Sequence, residues 1–154
     1  MIVDASVVVK WFLLDERHTQ EARAIRDGIL DDRLHLTAPT VLWSEVAHSV
    51  VKAVRRGRLD SRLVSPIAQA MAEMRPLIGS ADLDPVETVA AALQTDLSAY
   101  DAQYLALGVS QGVAVLTADA RMLERGRAHG YDVVWLGDVT LRDGVLVDTP
   151  QGYQ

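Results

Sequence analysis

Four acids stand out by type and spacing: Asp4, Glu45, Asp101 and Asp119. Asp4 directly follows the apolar pair Ile2 and Val3, and Asp119 follows the apolar run "VAVL" (113–116) by way of Thr117 and Ala118. Asp101 falls in the first turn of a helical stretch that leads into that same run. Glu45 falls early in a helical stretch that succeeds another apolar run, "LHLTA" (34–38). If the apolar runs are strands of one parallel sheet, all four carboxylates lie at its carboxyl edge, where such sheets carry their sites. Carboxylates brought together repel, and their pKa values rise unless a cation compensates. Mg²⁺ takes oxygen ligands and keeps several waters, and Mn²⁺ suits the same donors. Such a centre acts on phosphate esters, by lowering the pKa of a bound water and neutralising charge on the phosphoryl and leaving oxygens. With no cysteine and only 4 scattered histidines, zinc fits poorly.

Each acid also has a local explanation. Asp4 and Asp119 can be N-caps of the helices they precede. Asp101 can be the partner of Ser98 in a capping box, and Glu45 can favour the positive end of its helix dipole. Taken singly, these explanations outweigh function. Their conjunction on four separate elements at one sheet edge reverses the balance.

The elements that must position them alternate along the chain. Residues 2–3, 34–38, 113–116 and 132–136 read as strands, the third wholly apolar as buried parallel strands are. Helical patterns cover 21–30, 41–56, 60–74, a stretch from Asp84 on, 98–112 and 118–130. In 41–56, Leu42, Val46, Val50, Ala53 and Val54 make one stripe, with Glu45, His48, Ser49 and Lys52 on the opposite, polar face. In 60–74, Leu63, Ile67, Met71 and Met74 are in register. "DPVE" (84–87) is a helix start, with Asp84 as N-cap and Pro85 at the first helical position. Strands separated by helices predict an α/β protein, a three-layer α/β/α sandwich around a central parallel sheet. The expected domain is 1–137. The tail, 138–154, is not a separate domain and can close a hairpin around Asp143 and Gly144.

At 154 residues and 49% hydrophobic content the chain suits one compact domain. The apolar start is interrupted by Asp4 and Lys10 and lacks a basic leader, so no signal peptide is read there. No stretch approaches a membrane span, and a cytoplasmic location is expected. The net charge of −6 excludes nucleic-acid binding by broad electrostatics. The charge is uneven, however: 76–120 holds no Lys or Arg, whereas 52–62 holds Lys52, Arg55, Arg56, Arg58 and Arg62. Lys52, Arg55 and Arg56 are candidates for contacts to the phosphates of a bound substrate, against the alternative of a solvated helix end. Lys10 and Arg17 are similar candidates. Trp11 and Trp43 read as core or dimer contacts, against the alternative of stacking on bases. Tyr100 and Tyr104 read as packing residues. The histidines show no ligand spacing, and His48, one turn from Glu45, reads as a surface residue against a supporting role at that acid.

The ordered segments "VDASVVVKWF", "SEVAHSV", "LSAYDAQYLALG" and "VLTADARML" resemble the PIN-domain ribonucleases, and among them the VapC-type toxins of bacterial type II toxin–antitoxin pairs. The resemblance runs from Ile2 to about Leu136. It implies a PIN-like fold and an endoribonuclease that hydrolyses RNA with Mg²⁺ or Mn²⁺. By position, Asp4, Glu45, Asp101 and Asp119 become the acidic cluster, Asp4 and Asp101 its direct ligands, and Ser6 and Thr117 its supporting hydroxyls. The resemblance further implies a homodimer and a small antitoxin that blocks the acidic site, often through an arginine, whose guanidinium pairs bidentately with carboxylates. The alternatives are a PIN-like binding protein without turnover and a stand-alone RNA-processing nuclease. A phosphoacceptor domain is disfavoured: no lysine follows Lys52, and Ser6 stands where a second acid belongs.

Overall fold

The computed structural model describes residues 1–14, 17–142 and 145–148. Five short strands form a parallel sheet in the order β3-β2-β1-β4-β5: β1 (Ile2–Val3), β2 (Thr37–Pro39), β3 (Gly79–Ala81), β4 (Val115–Thr117) and β5 (Val133–Trp135). Among the described residues, seven α-helices lie between them: α1 (Ala5–Val8), α2 (Thr19–Leu30), α3 (Leu42–Arg55), α4 (Val64–Met74), α5 (Pro85–Thr95), α6 (Ala99–Gln111) and α7 (Ala120–Ala128). The result is the expected α/β/α sandwich.

The sheet is centred on β1, whose Ile2 and Val3 are 0% exposed. Ile2 pairs with Thr37 on one side and Val115 on the other. The chain therefore runs outward from β1 through β2 to β3, then returns across β1 to β4 and on to β5. The reversal makes the carboxyl ends of β1 and β4 the switch point, where crevices open in sheets of this kind.

The helices follow their apolar spacing. On α3, Leu42, Val46, Val50 and Ala53 are buried, and the helix ends where Gly57 takes φ +68° and Arg58 N–H returns to the Ala53 carbonyl at 2.9 Å. Asp84 caps α5 by accepting from Val86 N–H at 2.8 Å. A Cβ on Gly108 of α6 would stand 2.8 Å from Val115 Cγ2, so this glycine lets the helix carrying Asp101 lie close on β4.

Three expectations shift. The strand expected over 34–38 lies at Thr37–Pro39: Leu34 instead closes the turn after α2, its N–H bonding the Gly28 carbonyl, and Pro39 is tolerated as the last strand residue. Strand β3, "GSA", carries no apolar or β-branched signal and was not anticipated. The helix expected over 60–74 opens as a 3₁₀ turn, Ser61–Leu63, and of its stripe only Met74 is buried. Beyond the sheet, β6 (Val139–Arg142) and β7 (Val145–Asp148) pair antiparallel, while Asp143 and Gly144, around which the hairpin is expected to close, lie outside the described residues. Val139 is buried in the main core. Among the described residues no helix is long and apolar enough to cross a membrane.

Candidate active site

A cleft of about 770 Å³ opens at the switch point, and Asp4, Glu45, Asp101 and Asp119 all line it. Four elements supply them: the end of β1, the first turn of α3, the first turn of α6 and the residue before α7.

Asp4 continues the ladder, its N–H bonding the Leu116 carbonyl at 3.0 Å. It occupies the N-cap position of α1, yet its side chain makes no cap bond. Instead Oδ2 accepts from the hydroxyls of Ser6 and Thr117, the latter at 2.8 Å. Those hydroxyls are themselves held by backbone: Ala118 N–H donates to Ser6 Oγ at 2.8 Å and Asp119 N–H to Thr117 Oγ1 at 2.9 Å. Amide to hydroxyl to carboxylate is a polarised chain that fixes the Asp4 rotamer. Asp4 is 4% exposed. Burial pushes its pKa up, the two hydroxyls oppose this, and Asp101 and Asp119 add repulsion; the outcome is about 6.

Glu45 accepts from the Tyr104 hydroxyl through Oε2 at 2.5 Å. Burial raises its pKa to about 7, with Asp4 and Asp101 adding to the rise and the Tyr104 bond opposing it. Tyr104 is fully buried, and its own pKa is pushed up by burial and by the neighbouring Asp4 and Glu45.

The other two acids are held locally. Asp101 Oδ2 accepts from Ser98 Oγ at 2.7 Å, while the same Ser98 oxygen accepts from Asp101 N–H at 3.1 Å. Asp119 Oδ1 caps α7, accepting from the N–H groups of Arg121 and Met122 at 2.7 and 3.1 Å. The capping explanations thus hold for Asp101 and Asp119 and fail for Asp4.

A common pattern unites the four. Each has one carboxylate oxygen committed to a protein donor: Asp4 Oδ2, Glu45 Oε2, Asp101 Oδ2 and Asp119 Oδ1. Among the described residues, no hydrogen-bond donor reaches the second oxygen of any of them. Hard oxygen donors, oriented and uncommitted, suit Mg²⁺ or Mn²⁺. Among the described residues no three His, Asp or Glu side chains are arranged to hold an ion by themselves. Mg²⁺ is commonly bound by one or two carboxylates plus waters and phosphate oxygens rather than by a protein cage, so the donor set fits it.

Of the basic candidates, Lys52 and Lys10 line the cleft, whereas Arg55 and Arg56 are exposed outside its wall. Tyr100 also lines the cleft and is 60% exposed, so it is not a packing residue. Trp11 is buried and donates to the Ala22 carbonyl at 2.8 Å. The contribution missed in the sequence is that of Tyr104, whose polar tip on an otherwise apolar helix face was the available signal.

Residues 1–128 match the family described as the PIN domain, and the chain belongs to that family. Among named relatives, the VapC ribonuclease Mb0985 of Mycobacterium bovis is 31% identical over 133 residues, 84% of this chain and 93% of its own. Ribonuclease VapC3 of Pyrobaculum aerophilum is 29% identical over 127 residues, 81% of this chain and 93% of its own. The fold is shared with the solved structure of PAE2754 from Pyrobaculum aerophilum, at a TM-score of 0.65, 17% identity and 88% coverage of both chains.

Proposed function

We propose that the protein is a divalent-metal-dependent endoribonuclease, the toxin of a toxin–antitoxin pair, acting in the cytoplasm as a homodimer. A cognate antitoxin that covers the acidic cleft would restrain it. The observation that carries this reading is the donor pattern: four carboxylates on four elements, each oriented by one oxygen, meeting in one cleft. The VapC ribonuclease names of relatives matching 81–84% of the chain support RNA as the substrate.

Asp4 and Asp101 are assigned as direct metal ligands, with Glu45 and Asp119 completing the acidic set. Bound Mg²⁺ or Mn²⁺ supplies a water of lowered pKa and neutralises charge on the phosphoryl oxygens. Ser6 and Thr117 hold Asp4 so that its second oxygen keeps one direction. Lys52, on the polar face of α3 with Glu45, offers positive charge to a backbone phosphate. Residues 1–137 carry this chemistry, with 138–154 as an appendage.

The test is cleavage of varied RNAs by purified protein freed of any bound partner, with Mg²⁺ or Mn²⁺, with EDTA, and with Asp4→Asn and Asp101→Asn. Metal-dependent cutting to 5′-phosphate and 3′-hydroxyl ends, lost in both folded variants, is the expected result. Cutting that survives both variants, or its absence in the wild type, leaves a binding protein as the better reading.

A further inference from the structure

Tyr104 stands one turn beyond Asp101 on α6 and is 0% exposed. Packing alone would be served by phenylalanine, and a buried phenol needs a partner for its O–H. Its partner is Glu45 Oε2, 2.5 Å away and 59 residues distant in the chain. One hydroxyl therefore ties α6 to α3, the two elements that carry Asp101 and Glu45.

We propose that Tyr104 is a positioning residue of the metal site: its hydroxyl holds Glu45 Oε2 so that the second oxygen of Glu45 is kept at the cleft wall beside Asp4 and Asp101. This rests on the metal-nuclease reading above. Groups that hydrogen-bond a ligating carboxylate set its orientation, and their loss typically costs about 10–100-fold in metal affinity or activity.

The experiment is Tyr104→Phe, which removes one oxygen atom from the core. Mn²⁺ binding to the RNA-free protein is measured by calorimetry beside kcat and KM for RNA. The expected variant keeps its far-UV spectrum, binds Mn²⁺ about 10-fold more weakly and loses kcat with KM unchanged. A second comparison isolates the route: adding Tyr104→Phe to Glu45→Ala is expected to change Mn²⁺ affinity by less than about twofold, because nothing remains to be positioned. Wild-type Mn²⁺ affinity in Tyr104→Phe, or losses that multiply in the double variant, would overturn the proposal alone. A wild type that binds no Mn²⁺ would overturn the nuclease reading and this proposal with it. A Tyr104→Phe chain that loses its far-UV spectrum would assign the hydroxyl to folding and overturn the proposal.

Discussion

Asp4 and Glu45 each take a side-chain hydroxyl from far along the chain, Thr117 separated from Asp4 by 113 residues and Tyr104 from Glu45 by 59, with Ser6 adding a nearby hydroxyl to Asp4. Asp101 and Asp119 are held by their own helices, through Ser98 three residues back and through the N–H groups of Arg121 and Met122 just ahead. The difference teaches that a helix cap and a metal ligand are compatible roles. A cap uses one carboxylate oxygen and leaves the other. A local explanation for an acid is therefore no argument against a functional one.

The sharpest way to break this comparison is to remove charge from one member of each pair. Asp4→Asn keeps an acceptor for Ser6 and Thr117, so the fold should survive while kcat falls on the order of 1000-fold. Asp101→Asn keeps the Ser98 cap and should lose on the order of 100-fold. If Asp101→Asn instead retained wild-type kcat in a single-turnover assay, the locally held pair would be caps and nothing more.

The next effect is on stability. Asp4 has a folded pKa of about 6 against an ordinary 3.8, and Glu45 about 7 against 4.5. A carboxyl with a raised folded pKa binds protons better folded than unfolded. Its contribution is full below the unfolded value and is lost as pH rises towards the folded one. Metal-free protein should therefore lose stability between about pH 4 and pH 7, with Asp4 accounting for on the order of 3 kcal/mol. Urea midpoints across this range should fall in the wild type and fall less in Asp4→Asn. Mn²⁺ added at pH 7 should recover the loss through binding to the folded state.

Smaller still is the separation of roles at Asp119. Asp119→Ala removes the α7 cap and should cost about 1 kcal/mol in urea denaturation, whereas Asp119→Asn should cost a few tenths. Both should lower the cleavage rate, because both remove the charge. The smallest effects belong to the cations. Lys52→Ala should weaken single-stranded RNA binding a few-fold and reduce the salt slope by about 0.7. Arg55→Ala and Arg56→Ala should each change affinity by less than about twofold, since neither lines the cleft.

Much of this was legible in the sequence because it is written locally. The α3 stripe, the caps at Asp84 and Ser98, and the apolar strand before Asp119 all depend on neighbours within a few residues. What was not legible depends on partners elsewhere. Strand β3 exists because Thr37, Ala38 and Pro39 offer it an edge, and "GSA" says nothing of that. Tyr104 reads as one more apolar residue between Ala102 and Leu105 until α3 places Glu45 opposite its hydroxyl. Arg56 shares the helical phase of Glu45, but 11 residues at 1.5 Å each carry it about 16 Å along the axis, past the end of the cleft.

The 113-residue separation of Asp4 from Thr117 also sets a schedule. During synthesis, Asp4, Glu45 and Asp101 all leave the ribosome before β4 exists to lie beside β1. A chain that stops short of Thr117 carries three of the four acids and lacks both Asp119 and the long-range hydroxyl on Asp4. By the reading above, hydrolytic competence waits until β4 docks beside β1.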